Sequence, residues 1–293
     1  MLTSRLLQGD PDVQLMRDLI GSLRRPTTIS DFEESLQLST VRANTCLWLE
    51  DGILAGFAFV DDYNNLRFEI RDASRTTVLE DALVTWGITC QRQRNAVSGT
   101  RDTLDASFGA QNTWQIALLQ RWGFESSGER SLHYERSLAQ PLPQPELPPG
   151  FSIRPVKGEE EIDTLVALHR AAFGTENMTA EQRLAIMRVP LYQPDLDLVV
   201  VAPNGDLAAF CIGGFEDEER RIGYTDPVGT HPNYRRLGLA GALMTTIMRH
   251  MAALGAALVQ TGTSSLNLGM QRLADSLGFK LVSETLWYSK VVD

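Results

Sequence analysis

The chain has 293 residues, room for one large domain or two of ordinary size. Its 43% hydrophobic and 22% charged residues are those of a soluble globular protein, and a net charge of -10 speaks against a nucleic-acid partner, which needs clustered Lys and Arg to meet phosphates. The same charge suits a cationic substrate, but it serves plain solubility equally well. No window reaches the roughly 18 apolar residues of a membrane span, and Met1 to Ser22 lacks the apolar core of a signal peptide. The expectation is a cytoplasmic protein with no membrane partner. Cys46, Cys90 and Cys211 stand far apart, with no CxxC pair and no His-Cys cluster. They read as small core residues, and no metal site is expected.

In chain order, Cys46 to Phe59 reads as two strands about a tight turn. A strand over Leu66 to Arg71 leads to Asp72 to Asp81, a stretch without glycine and with carboxylates in the early helix. Asn112 opens an apolar helix that ends in Trp122-Gly123-Phe124, and a strand then reaches Tyr134. Ala139 to Gly150 carries five prolines in twelve residues, which excludes both helix and central strand and reads as a semi-rigid extended linker.

After the linker the pattern returns. A strand near Ser152 to Arg154 precedes a helix over about Glu159 to Ala172 and a shorter one over Ala180 to Met187. Leu198 to Phe210 repeats the hairpin, with Asn204-Gly205 as its turn, and continues to Gly214. The acidic run Glu216 to Glu219 fits a solvated hairpin tip. A strand over Arg221 to Thr230, a helix over Gly238 to Leu254 closed by Gly255, and a strand over Ala257 to Thr261 come next. Asn267 opens a helix ending in Leu277-Gly278-Phe279, and a closing strand pair completes the order. The Asn-to-Gly spacing is eleven residues in both halves, so two copies of one α/β unit is the economical reading.

The stretch richest in chemistry is Asp226 to Leu243. A strand ends near Thr230, His231-Pro232 breaks it, and two arginines lead into a small-residue helix start. The first N–H groups of a helix lack internal partners and its dipole makes that end positive. Gly238 and Ala240 leave room for a diphosphate against the backbone, and Arg235 and Arg236 add charge. Arg235-Arg236-Leu237-Gly238-Leu239-Ala240 resembles motif A of the GNAT superfamily of N-acetyltransferases: Arg or Gln, two residues, Gly, one residue, Gly or Ala. Phe151-Ser152-Ile153-Arg154-Pro155 resembles the usual opening of such a domain, and Asn267 to Phe279 its following helix.

The resemblance implies an α/β (α+β) fold of two tandem GNAT-like domains, each a mixed, mostly antiparallel splayed sheet flanked by helices. Residues 1–138 would be a degenerate copy, 139–150 the linker, and 151–293 the domain that binds acetyl-coenzyme A. The layout resembles that of tandem GNAT proteins with one active half, mycothiol synthases among them. Val228, Gly229 and Thr230 would pair with the pantetheine amides. Arg235, Arg236, Leu237, Gly238, Leu239 and Ala240 would hold the pyrophosphate. Asn267 would touch the cofactor, cap the next helix, or do both.

The implied reaction is attack of an amine of a small molecule or peptide on the thioester. An alkyl ammonium of pKa about 10 must first lose its proton. Asp226 stands where the family often places a carboxylate for this task, although a turn residue before Pro227 is the equal alternative. The family's usual Tyr, the general acid, is replaced by Ala274. A thiol of pKa about 8.5 still leaves tolerably without help. Ala274 and the degenerate first copy also suit a second expectation, a non-catalytic acyl-coenzyme A sensor or partner-binding module.

Overall fold

Local turn chemistry sets the strands of the first half. In the computed structural model, which describes residues 1–23, 29–217 and 221–292, Asp51 and Gly52 both take positive φ (51° and 83°). This is the conformation a two-residue hairpin turn requires, and it joins β2 (Thr45–Glu50) to β3 (Ile53–Val60). With β1 (Leu2–Leu6) and β4 (Leu66–Ile70) they form an antiparallel sheet in the order β1-β2-β3-β4. The helices α1 (Asp10–Ser22), α2 (Ile29–Ser35) and α3 (Ser39–Ala43) lie between β1 and β2 in sequence. The long α4 (Thr77–Ser98) stops at Gly99, in the left-handed conformation. β5 (Leu104–Gly109), α5 (Thr113–Arg121) and β6 (Glu125–Ser137) follow. Leu79, Leu83, Val84, Phe68 and Leu118 share one buried cluster. The free thiols of Cys46 and Cys90 lie in it, each pushed by burial to a pKa of about 11.

The second half contains β7 (Ser152–Pro155), α6 (Ile162–Phe173), α7 (Ala180–Arg188), β8 (Asp197–Val201), β9 (Leu207–Asp217), β10 (Ile222–Thr230), α8 (Leu239–Ala253), β11 (Leu258–Ser264), α9 (Leu268–Ser276) and β12 (Lys280–Lys290). β7 to β10 pair antiparallel in sequence, and β10 pairs parallel with β11. The near-continuous apolar runs of β8 and β9 are buried on both faces, as a sheet covered by helices on each side requires. Val200, Ala209 and Cys211 pack with Leu243, Ile247 and Met251 of α8, on what is here termed the α8 face. Val199, Phe210 and Ile212 pack with Leu165, Leu168 and Ala172 of α6, on the opposite, α6 face. Among the described residues no helix is long and apolar enough to cross a membrane.

The compact units do not follow the proline-rich segment. One comprises residues 1–130 with 285–293, and the other residues 131–284. Two long strands are the cause. Ser131 to Ser137 of β6 pair antiparallel with all of β11, and Thr285 to Lys290 of β12 pair antiparallel with β5. The last strand of each repeat therefore belongs to the unit built around the other. Tyr288 and Val292 are buried in the first unit's core, and Leu132 and Tyr134 in the second's. This corrects the expected closing strand pair. A single strand follows α9, because Lys280 to Lys290 has no Gly, Pro or Asn on which to turn, and the strand beside β11 is β6. The proline-rich segment is itself tied down. Leu142 and Leu147 pack on the second core, and Arg249 donates to the Pro143 carbonyl at 3.0 Å.

Candidate functional site

In β10, Thr225 pairs with Gly213 and Val228 with Cys211, so Asp226 and Pro227 together face the single residue Ile212. This is a β-bulge, which bends the strand and re-aims its side chains. The Asp226-Pro227 bond is cis. Asp226 is exposed on the α6 face, and its Oδ2 lies 3.5 Å from where a Cβ at Gly262 of β11 would stand. The carboxylate thus sits on the sheet surface above the neighbouring strand, a placement that a turn residue does not need.

The same strand opens the sheet. The parallel register of β10 and β11 runs from Ile222–Leu258 to Tyr224–Gln260. Just beyond, Thr261 Oγ1 donates to the Thr225 carbonyl at 2.8 Å. Val228, Gly229 and Thr230 pair with Cys211, Phe210 and Ala209 of β9, and among the described residues they have no partner on the β11 side. They present an unpaired strand edge, as β-augmentation requires. A side chain at Gly229 would collide with the Phe210 ring on the α6 face. His169 stacks on that ring with centroids 5.5 Å apart.

The loop after β10 is braced from both ends. His231 N–H donates to the Ala208 carbonyl at 2.9 Å, and Tyr234 donates its hydroxyl hydrogen to Asp206 Oδ2 at 2.9 Å. Arg235 donates to the Thr230 carbonyl at 3.4 Å and to the Ala172 carbonyl, in the last turn of α6, at 2.7 Å. Its guanidinium organises the loop in addition to charging it, a role sequence alone does not specify. Arg236, Leu237 and Gly238 are exposed. Arg236 and Gly238 take φ of 64° and 77°. α8 begins one residue later than expected, at Leu239, with Gly238 as an N-cap that offers no side-chain acceptor. Ala242 N–H is the first to reach the cap, at 3.0 Å to the Gly238 carbonyl. The N–H groups of Leu239, Ala240 and Gly241 are left at the positive end of the dipole. A Cβ built on Gly238 meets nothing within 4 Å, so the space in front of these donors is open. The Leu239 side chain is 1% exposed and anchors the turn in the core. A diphosphate fits such a cradle.

Among the described residues of the first unit, the corresponding helix start, that of α4, is capped instead. Thr76 caps α4, its hydroxyl accepting from Leu79 N–H at 3.3 Å, and Glu80 lies in the first helical turn. The Arg75 guanidinium lies 5.0 Å above the Trp114 ring. The Leu79 N–H and the Arg75 guanidinium, which an anion would need, are thus already engaged.

Asn267 caps α9, its Oδ1 accepting from Met270 N–H at 3.1 Å. The capping role is realised, and the side chain is exposed. Ala274 is fully buried in the cluster that also holds Tyr134 and Phe279. Tyr134 and its neighbour His133 reach this unit on β6, and sequence reasoning centred on the second half passes over both. Of the acidic run, Glu218 and Glu219 lie outside the described residues.

The profile of the acetyltransferase (GNAT) family matches residues 162–279. The chain is 28% identical over 166 residues to a mycothiol acetyltransferase of Thermobispora bispora, covering 54% of this chain and 56% of that protein. It is 26% identical over 200 residues to the mycothiol acetyltransferase of Propionibacterium freudenreichii subsp. shermanii, covering 61% and 64%. The chain thus spans less than two thirds of the length of either curated relative. Among solved structures, a GCN5-related N-acetyltransferase from Sphaerobacter thermophilus superposes with a TM-score of 0.72 at 21% identity over 99% of this chain and 96% of the other. A tandem GNAT protein from the clavulanic acid biosynthesis pathway gives 0.72 at 17% identity over 100% and 98%. At these identities the likeness is one of fold, and it extends over both repeats.

Proposed function

We propose that the chain is an acetyltransferase of the GNAT family, whose profile matches residues 162–279, and that it transfers an acetyl group from acetyl-coenzyme A to a primary amine of a small molecule or peptide. The observation that carries this reading is the uncapped start of α8 beside the unpaired edge of β10. Acetyl-coenzyme A supplies the acyl group as an activated thioester with a thiol to carry away. The backbone N–H groups of Leu239, Ala240 and Gly241, with Arg235, Arg236, Leu237 and Gly238, would bind its pyrophosphate. The edge of Val228, Gly229 and Thr230 would bind the pantetheine amides, and Asn267 would lie at the rim. Asp226 would accept the proton of the amine on the α6 face. Residues 1–138 form a repeat without cofactor, residues 139–150 the link, and residues 151–293 the repeat that carries the site.

The decisive experiment is thiol release from acetyl-coenzyme A over a broad amine library that includes the acceptor of the mycothiol acetyltransferases. Binding without release for any amine would favour the second reading, a non-catalytic acyl-coenzyme A sensor, to which the buried Ala274 lends support. No binding at all would remove both.

A further inference from the structure

β6 brings a second titratable group to the place where Asp226 stands. Leu132 and Tyr134 are buried on the α8 face. Side chains alternate along a strand, so Ser131, His133 and Glu135 lie on the α6 face. His133 is half-buried and pairs directly with Gly262 of β11. Directly opposed residues hold their Cβ positions about 4.5 to 5.5 Å apart. From the other side, Asp226 Oδ2 lies 3.5 Å from that same Cβ position at Gly262. The carboxylate on β10 and the imidazole on β6 therefore flank one residue on the strand between them. That residue is glycine, which leaves a recess where any side chain would fill the gap.

We propose that His133 is a catalytic residue, forming with Asp226 the proton-accepting pair on either side of Gly262, with the acceptor amine seated in the recess. This rests on the acetyltransferase reading above. The ammonium N–H bond breaks, the electron pair stays on nitrogen, and the proton passes to the Asp226 carboxylate or, directly or through one water, to an imidazole nitrogen of His133. His133 returns it to solvent. A carboxylate beside the imidazole also favours a cationic acceptor. Among the described residues, other titratable groups of this face are Tyr224 on β10 and Glu135 on β6, with His169 and Arg170 on the α6 helix that covers it. Glu135 is engaged by Gln260, whose Nε2 donates to it at 3.2 Å.

The pair has a readout independent of turnover. In the full-length chain without ligand, NMR titration of the His133 imidazole should shift down by about half a unit to one unit in Asp226→Asn, because the carboxylate stabilises the imidazolium. An unchanged titration overturns the pair. In thiol-release assays His133→Gln and His133→Ala should lower kcat about 10²-fold. Their acetyl-coenzyme A affinity, measured by calorimetry, should stay within about twofold, since His133 adjoins no donor of the phosphate cradle. Gly262→Val, which fills the recess, should raise KM for the amine and leave acetyl-coenzyme A affinity in place. Parent-like kcat in both folded His133 variants refutes the inference. A parent chain that binds no acetyl-coenzyme A sinks the acetyltransferase reading instead, and the imidazole titration still decides whether the pair exists.

Discussion

Gly238→Asp puts a carboxylate at the mouth of α8, and its effects on stability and on binding separate when it is compared with Gly238→Ala. Gly238 has φ of 77°, where an L-residue costs about 1 to 2 kcal/mol. A Cβ there meets no atom within 4 Å, so neither variant clashes with the protein. Both should lose similar stability, a few degrees in Tm at about 2 to 4 °C per kcal/mol. Binding should differ between them. A unit charge about 4 Å from a phosphate charge is opposed by about 1 kcal/mol in water and about 4 kcal/mol at an effective dielectric constant of 20. Relative to Ala, Asp should therefore weaken acetyl-coenzyme A by roughly fivefold to nearly 10³-fold. Calorimetric titration of the parent and both variants at two salt concentrations measures this, and the Asp-specific loss should shrink at high salt. An Asp variant that binds as tightly as the Ala variant would refute the anion site at this helix.

Asp226→Asn keeps the size of the side chain and removes its basicity, so turnover should fall about 10²- to 10⁴-fold with acetyl-coenzyme A affinity nearly unchanged; a normal rate and an unaltered pH profile would remove Asp226 from the mechanism. Because Thr76 caps α4 and Gly238 leaves α8 open, native mass spectrometry should find a single tight equivalent of acetyl-coenzyme A per chain, and two would contradict the reading of the first repeat. Burial, assisted by the Arg183 charge, holds the His169 imidazole down at about 4. The unfolded chain, with its imidazole near about 6.5, then binds the extra proton, and stability should fall as pH drops from about 6.5 towards about 4. Urea unfolding of the parent and of His169→Gln across this window should give a steeper decline for the parent, and parallel curves would count against a buried neutral imidazole.

Much of this protein is written in short stretches of chain. The Asp51-Gly52 and Asn204-Gly205 turns, the helix starts at Thr77 and Leu239, and the loop from Arg235 to Ala240 each depend on residues within a few positions of one another. Turn chemistry and hydrophobic period are local properties, so both repeats, the fold class and the glycine at the start of α8 are legible without coordinates. The repeat also shows which copy keeps its glycine at the helix start. Other features join residues far apart in sequence. That Arg235 ties the loop to Ala172 and that Ala274 faces the core follow from packing between elements. So does the finding that β6 and β12 each complete the unit built around the other repeat. Alternation along β6 assigns His133 to one face of a sheet, but it carries no information about which strand lies alongside. Only the pairing of β6 with β11 brings His133 opposite Gly262 and so to the side of Asp226, because strand neighbours are chosen by the closure of the whole sheet and not by any signal within the strand.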